Sequence, residues 1–399
     1  MPWQTKPPLS EEKTGLAAVT TDAPAPETGS RIYAIGGWTG FKDLATVEVF
    51  DPEANMWTTA APMPTARFGM GAAVTSGRIH VVGGHQKDVG VLATHEVYEP
   101  ATNSWSQAAP MPTARYWLDA ATAPDGLVYA IGGLGSNAYS TVEAYDPVSD
   151  SWTTRAPMPT GRQGLATVLG PDGLIYAIAG FHSPNLFSIV ETYDPATDSW
   201  STAPSLPKTV NWLGAAVGPN GLIYAIGGSS LGNNESRHEV YSYDPATPAA
   251  GWSTRAPLLT ARSDLAAATG PDGLVYAMGG NPQEPGQGFQ AGVEAYTFAA
   301  NDGVSLEGLD VADILKDLVG KTVGGVDRGG GGGIIIGGHY IPIPPRSPIW
   351  ATILRAARPY LDRGVESRQL GQIVEQLQRR PGQAVKQPDL GARAVRKQQ

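Results

Sequence analysis

The sequence predicts an all-β protein made of six similar units laid end to end. A glycine pair recurs as Gly36-Gly37, Gly83-Gly84, Gly132-Gly133, Ala179-Gly180, Gly227-Gly228 and Gly279-Gly280, with first positions 47, 49, 47, 48 and 52 residues apart. Each pair follows a short apolar run such as RIYAI or LVYAI and precedes a run of the VEVFDP type. Five of the units then reach a tryptophan: Trp57, Trp105, Trp152, Trp200 and Trp252. Short apolar runs punctuated by Gly, Pro and Asp read as strands and turns.

The period, the glycine pair and the distal Tyr/Trp pair resemble the kelch repeat, whose unit is one four-stranded propeller blade. The resemblance covers roughly residues 1–300 and implies a six-bladed kelch β-propeller. Residues 115–157 serve as the template blade. ARYWLDAATA is the innermost strand, small and apolar enough to crowd round a channel. Pro124, Asp125 and Gly126 form a hairpin turn. LVYAIGG is a strand covered on both faces, with glycines where neighbouring backbone comes close. STVEAYDP is the third strand, and SWTTRAPM the outermost, its Trp152 packing between blades.

The sixth unit ends at Phe298 without a tryptophan strand. Its missing piece stands at the start of the chain, where WQTKPPLSEEK from Trp3 parallels WTTAAPMPTAR from Trp57. The N-terminal strand is therefore expected to close the last blade and remove free sheet edges. Strand alternation puts the PMPTAR connections and the loops after the glycine pairs on one face. The opposite face carries repeated acids (Asp125, Asp146, Asp172, Asp194, Asp244, Asp272) and reads as a solvated structural surface. Glu48, Glu96, Glu143, Glu191 and Glu294 recur in five blades, with Tyr241 in the fifth, and read as architecture.

Composition sets outer limits. With 50 Gly and 34 Pro in 399 residues, turns are dense, and with no cysteine there is neither disulfide nor thiolate chemistry. Residues 300–399 hold 14 Lys+Arg against 10 Asp+Glu, leaving 14 against 27 in the first 299, or −13. Such an acidic propeller is unsuited to nucleic acid. No signal peptide or transmembrane run is evident, so a cytoplasmic protein is expected.

Ten residues after each tryptophan, counting from Trp3, stand Lys13, Arg67, Arg115, Arg162, Val210 and Arg262. If the blades are equivalent, five cations ring one mouth of the channel, a pattern suited to carboxylate or phosphate recognition. In kelch adaptors that recruit acidic peptides, arginines of this loop class contact the peptide, and the match falls on Arg67, Arg115 and Arg162. The other reading of these arginines is structural, tying loops together. Tyr116, Trp117 and Trp212 flank the ring, and Trp38, His85, Phe181 and His182 stand in loops after the glycine pairs. Variable loops on a repeated frame are where specificity sits, and rigid aromatics are interface anchors.

Enzymatic kelch chemistries fit less well. The copper radical type needs a cysteine-crosslinked tyrosine, which this chain lacks. The six histidines show no tight ligand spacing, so no metal or other cofactor is expected. A sugar-acid epimerase or mutarotase is the surviving alternative, with Asp119 or Asp264 as acid/base beside Arg115 or Arg262.

The expected organisation is a propeller over 1–299, a short helix and Gly-rich linker over 300–333, a strand/helical extension over 334–381 and a disordered basic tail over 382–399. The resulting expectation is a non-catalytic binding scaffold. Its partner would be an acidic protein segment or an anionic saccharide at the arginine-lined mouth, with the C-terminal extension a second partner or assembly site.

Overall fold

The computed structural model describes residues 2–22, 29–230, 235–282 and 288–298, and two strands further on, Gly333–Ile336 and His339–Pro342. Six four-stranded antiparallel sheets succeed one another along the chain. In blade three the strands run in sequence order: Asp119–Thr122, Val128–Ile131, Val142–Asp146 and Ser151–Arg155. The innermost ladder is shorter than the sequence predicts, because Tyr116 leaves it to form an isolated bridge with Leu134. Val128, Tyr129, Ala130 and Ile131 are all 0% exposed, as a strand covered on both faces must be. The core lies between blades: Tyr33 and Ile35 of the first pack with Ile79 and Val81 of the second.

The glycine pairs join neighbours. Gly84 N–H donates to the carbonyl of Arg115 in the next blade, at 3.0 Å. Gly83 has φ +66°, and a Cβ there would stand 2.5 Å from that same carbonyl oxygen, so only glycine fits. Tryptophans join the rims. Each outer-strand indole donates to a carbonyl of the preceding blade's outer connection, as in Trp105 to Ala61 and Trp152 to Ala109, both 2.8 Å.

The same links close the circle. Trp3–Lys6 pairs with Val293–Tyr296, Trp3 lying opposite Tyr296, and becomes the outer strand of blade six. Trp3 donates to Ala256 in blade five, and Trp57 of blade one donates to Pro7. On the acidic face the carboxylates hold turns. Asp125 accepts from Leu127 N–H and the Tyr129 hydroxyl, and Asp146 from Val148 N–H and the Ser149 hydroxyl.

The chain divides into two units, Met1–Gly303 and Val304–Gln399. In the second, Gly333–Ile336 and His339–Pro342 form an antiparallel hairpin. The short helix expected within 300–333, the helical part expected within 334–381 and the basic tail lie outside the described residues. No helix among the described residues is long and apolar enough to cross a membrane.

Trp3 is 3% exposed and makes both the closing strand's packing and its hydrogen bond. Changing it to alanine is expected to destabilise the ring by about 3–5 kcal/mol. The check is the denaturant midpoint, and an unchanged midpoint would show that closure does not depend on this strand.

Candidate functional site

The five cations are not at the surface. Lys13, Arg67, Arg115 and Arg162 are 0% exposed and Arg262 is 1%. Each faces the repeated glutamate of its own blade: Lys13 with Glu48, Arg67 with Glu96, Arg115 with Glu143, Arg162 with Glu191 and Arg262 with Glu294. In blade three Arg115 Nη1 donates to Glu143 at 2.6 Å and to the Thr113 carbonyl, and Nη2 donates to the Ala130 carbonyl. Thr113 Oγ1 donates to the other carboxylate oxygen of Glu143. Burial pushes the Arg115 pKa down and Glu143 opposes that push; a guanidinium stays charged even so. The groups that were to meet a ligand's carboxylate already hold a carboxylate.

Blade five shows what the pair is for. Where the others have a cation it has Val210, and where they have glutamate it has Tyr241, both buried in one apolar cluster. A lone buried charge is far more costly than either the pair or an apolar replacement, so both partners are absent together. The blade's charges move outward instead, to the exposed Lys208–Glu239 bridge.

Two residues beyond each cation position comes a second ring: Gly15, Gly69, Trp117, Gly164, Trp212 and Asp264. All six have left-handed φ, from 49° to 62°, with Trp117 at 49°, Trp212 at 52° and Asp264 at 54°. Each donates its N–H to the carbonyl of the same position in the preceding blade, at 2.7–3.0 Å, and Gly15 closes the circle on Asp264. This ring surrounds a channel cavity of about 100 Å³ lined by Trp117, Asp119, Trp212, Asp264 and the small residues of the innermost strands. The two indoles touch, with centroids 5.3 Å apart. They lie over neighbouring glycines: a Cβ on Gly69 would be 2.9 Å from Trp117, and one on Gly164 2.8 Å from Trp212.

The cavity holds two half-buried carboxylates. Asp119 accepts from Ala120 N–H at 2.8 Å and from Thr167 N–H at 2.6 Å, and Asp264 accepts from the Thr14 hydroxyl at 3.0 Å. Burial pushes both carboxyls up to about 6, against the hydrogen bonds that favour the charged forms.

Aromatic rings run from the channel outward in unbroken contact. Trp212 meets Trp117, Trp117 meets Tyr116, and Tyr116 meets His85 and Phe68. Phe68 stacks with Trp38, which meets Phe289. All are half-buried. Beside the belt Phe41 is 85% exposed and Val89 67%. Their two loops are tied together, since Lys87 N–H donates to Asp43 at 2.7 Å and Lys87 Nζ to the Phe41 carbonyl.

A family model described as "Kelch motif" matches residues 20–64, 66–112, 120–159 and 164–207. Residues 20–207 of the propeller therefore carry kelch motifs. The chain is 36% identical to mouse (Mus musculus) Kelch-like protein 35 over 58 residues, 14% of this chain and 10% of that one. It is 32% identical to human (Homo sapiens) Kelch-like protein 33 over 82 residues, 21% of this chain and 14% of that one. The chain therefore spans only 10–14% of the length of these curated relatives. The solved structure of YjhT shares the fold, with a TM-score of 0.61 at 16% identity over 74% of this chain and 98% of that one.

The propeller brings together Trp38, His85, Tyr116, Trp117 and Trp212 from the sequence prediction, along with its alternative pair Asp119 and Asp264. Phe181 and His182 sit half-buried at the end of blade four's long second strand, Ile175–His182, where His182 bonds the Gly161 carbonyl. Lys13, Arg67, Arg115, Arg162 and Arg262 do not join them, because each turns inward to its glutamate. Two features escape sequence reasoning: the left-handed ring and the exposure of Phe41 and Val89. The ring's signal is the glycine two residues after the cation position in three of the six units.

Replacing Arg115 by methionine is expected to destabilise the protein by about 3–5 kcal/mol. The double change Arg115→Val with Glu143→Tyr, which copies blade five, should lose much less. Equal losses for both variants in chemical denaturation would refute the pairing argument. For Asp264, a folded-state value above the unfolded one means the folded state binds more protons between pH 4 and 6, so its burial penalty is full above pH 6. Asp264→Asn should stabilise at pH 8 relative to pH 4.5 by about 1–2 kcal/mol. Thermal unfolding of both proteins at both pH values checks this.

Proposed function

We propose that this kelch propeller is a binding module whose partner, a protein segment, seats on the loop face across blades six, one, two and three. The observation that carries the reading is the apolar lip: Phe41 at 85% exposure and Val89 at 67%, on two stapled loops beside a continuous aromatic belt. Scattered exposed hydrophobics are ordinary, but a contiguous patch on one face marks an interaction site. Rigid aromatics lose little entropy on binding and recur as interface anchors. The enclosed cations lend no support to an acidic partner. Recognition on this reading rests on apolar and aromatic contact.

The sugar-acid isomerase reading retains one favourable observation, since Asp119 and Asp264 line the same cavity. It loses its clamp, because Arg115 and Arg262 face Glu143 and Glu294.

The test is affinity capture from native lysate with the full chain, beside a Phe41→Glu/Val89→Glu variant of matched thermal stability. A protein held by the parent and lost by the variant is the expected result. Identical capture by both would overturn the docking face.

A further inference from the structure

The sequence breaks sixfold repetition most sharply on the channel axis. Three of the six left-handed positions carry Trp117, Trp212 and Asp264 where the others carry glycine. Bulky residues in this region of φ are strained by about 1 kcal/mol or more each, and such strain collects at functional sites. Structure alone asks only for glycine here, as Gly15, Gly69 and Gly164 show.

The lining of the cavity has one charge sign. Asp119 and Asp264 are its ionisable residues among the described ones, entering from blades three and six on opposite sides of the ring, and no described lysine, arginine or histidine lines it. Asp119 has both oxygens engaged by backbone N–H groups. Asp264 shows a single side-chain donor, Thr14. Two aromatic faces stand beside these carboxylates, and both indole Nε1–H groups are buried without a partner. No cluster of three acidic, histidine or cysteine side chains suited to a metal ion occurs among the described residues.

From these groups we infer that the channel mouth takes one organic cation, the ammonium or guanidinium head of a Lys or Arg side chain presented on a peptide segment. Asp264 accepts the head group, and the Trp117 and Trp212 rings line its alkyl stem and attract its charge. The net charge of −13 over the first 299 residues favours the approach of such a segment. The sign is opposite to that expected from the cation ring, because the ring is neutralised internally and the axis is not. This deepens the docking proposal and rests on it for the source of the cation.

The test needs no partner. Indole N–H resonances of the full chain, assigned with Trp117→Phe and Trp212→Phe, are followed during titration with n-butylammonium, n-butylguanidinium and neutral n-butanol. Saturable shifts of both resonances with either cation and none with butanol are expected. Asp264→Asn should weaken the cations about tenfold, the worth of one charge-assisted hydrogen bond, and Asp264→Glu should restore part of the affinity. Butanol acting as well as the cations would overturn the inference, even if the Asp264 variants do not fold. So would an Asp264→Asn chain that folds and binds equally well. Should the cations fail while Phe41→Glu/Val89→Glu still loses its partner, the channel inference falls and the docking face stands.

Discussion

The buried cation–carboxylate pair is the interaction on which the rest of this propeller hangs. It sits where three things meet: the connection from the previous blade, the second and third strands of its own, and the glycine pair reaching across from its neighbour. Arg115 shows the convergence, with its guanidinium on Glu143, Thr113 and Ala130 and its carbonyl accepting from Gly84. The pair fixes a loop to a sheet, and the carbonyl fixes that sheet to the one before. A buried ion pair is a poor source of net stability but a strict demand for a matching partner. Blade five, with Val210 and Tyr241, obeys that demand by dropping both charges.

Most of the fold was legible because the repeat states each constraint several times. The glycine pairs, the rim tryptophans and the turn aspartates each recur in register, and even the closing strand could be found by aligning Trp3 with Trp57. The site was legible only in part. Position gave the mouth, and so Trp38, His85, Tyr116, Trp117 and Trp212 were found together. Direction was not given: a residue beginning an innermost strand can face the channel or its own sheet, and spacing does not distinguish these. The information was nonetheless present. Val210 and Tyr241 depart from the repeat in the same unit, which is the mark of two side chains that meet.

Exposure at single positions was the least legible quantity. Phe41 and Val89 stand in loops that follow no repeat, and their prominence depends on how Lys87 draws one loop against the other. A hydrophobic residue in such a loop reads equally well as packing or as display. Only the tertiary arrangement separates them.

The circle of backbone hydrogen bonds through Gly15, Gly69, Trp117, Gly164, Trp212 and Asp264 has an electrostatic consequence. Six peptide dipoles set head to tail round a ring, all in the same sense, cancel one another on the axis. Every N–H in the circle is also occupied. Many folds present backbone N–H groups to a ligand and so favour anions before any side chain acts. Here that circle of main chain adds no net field on the propeller's axis, and the side chains that replaced glycine act there without it.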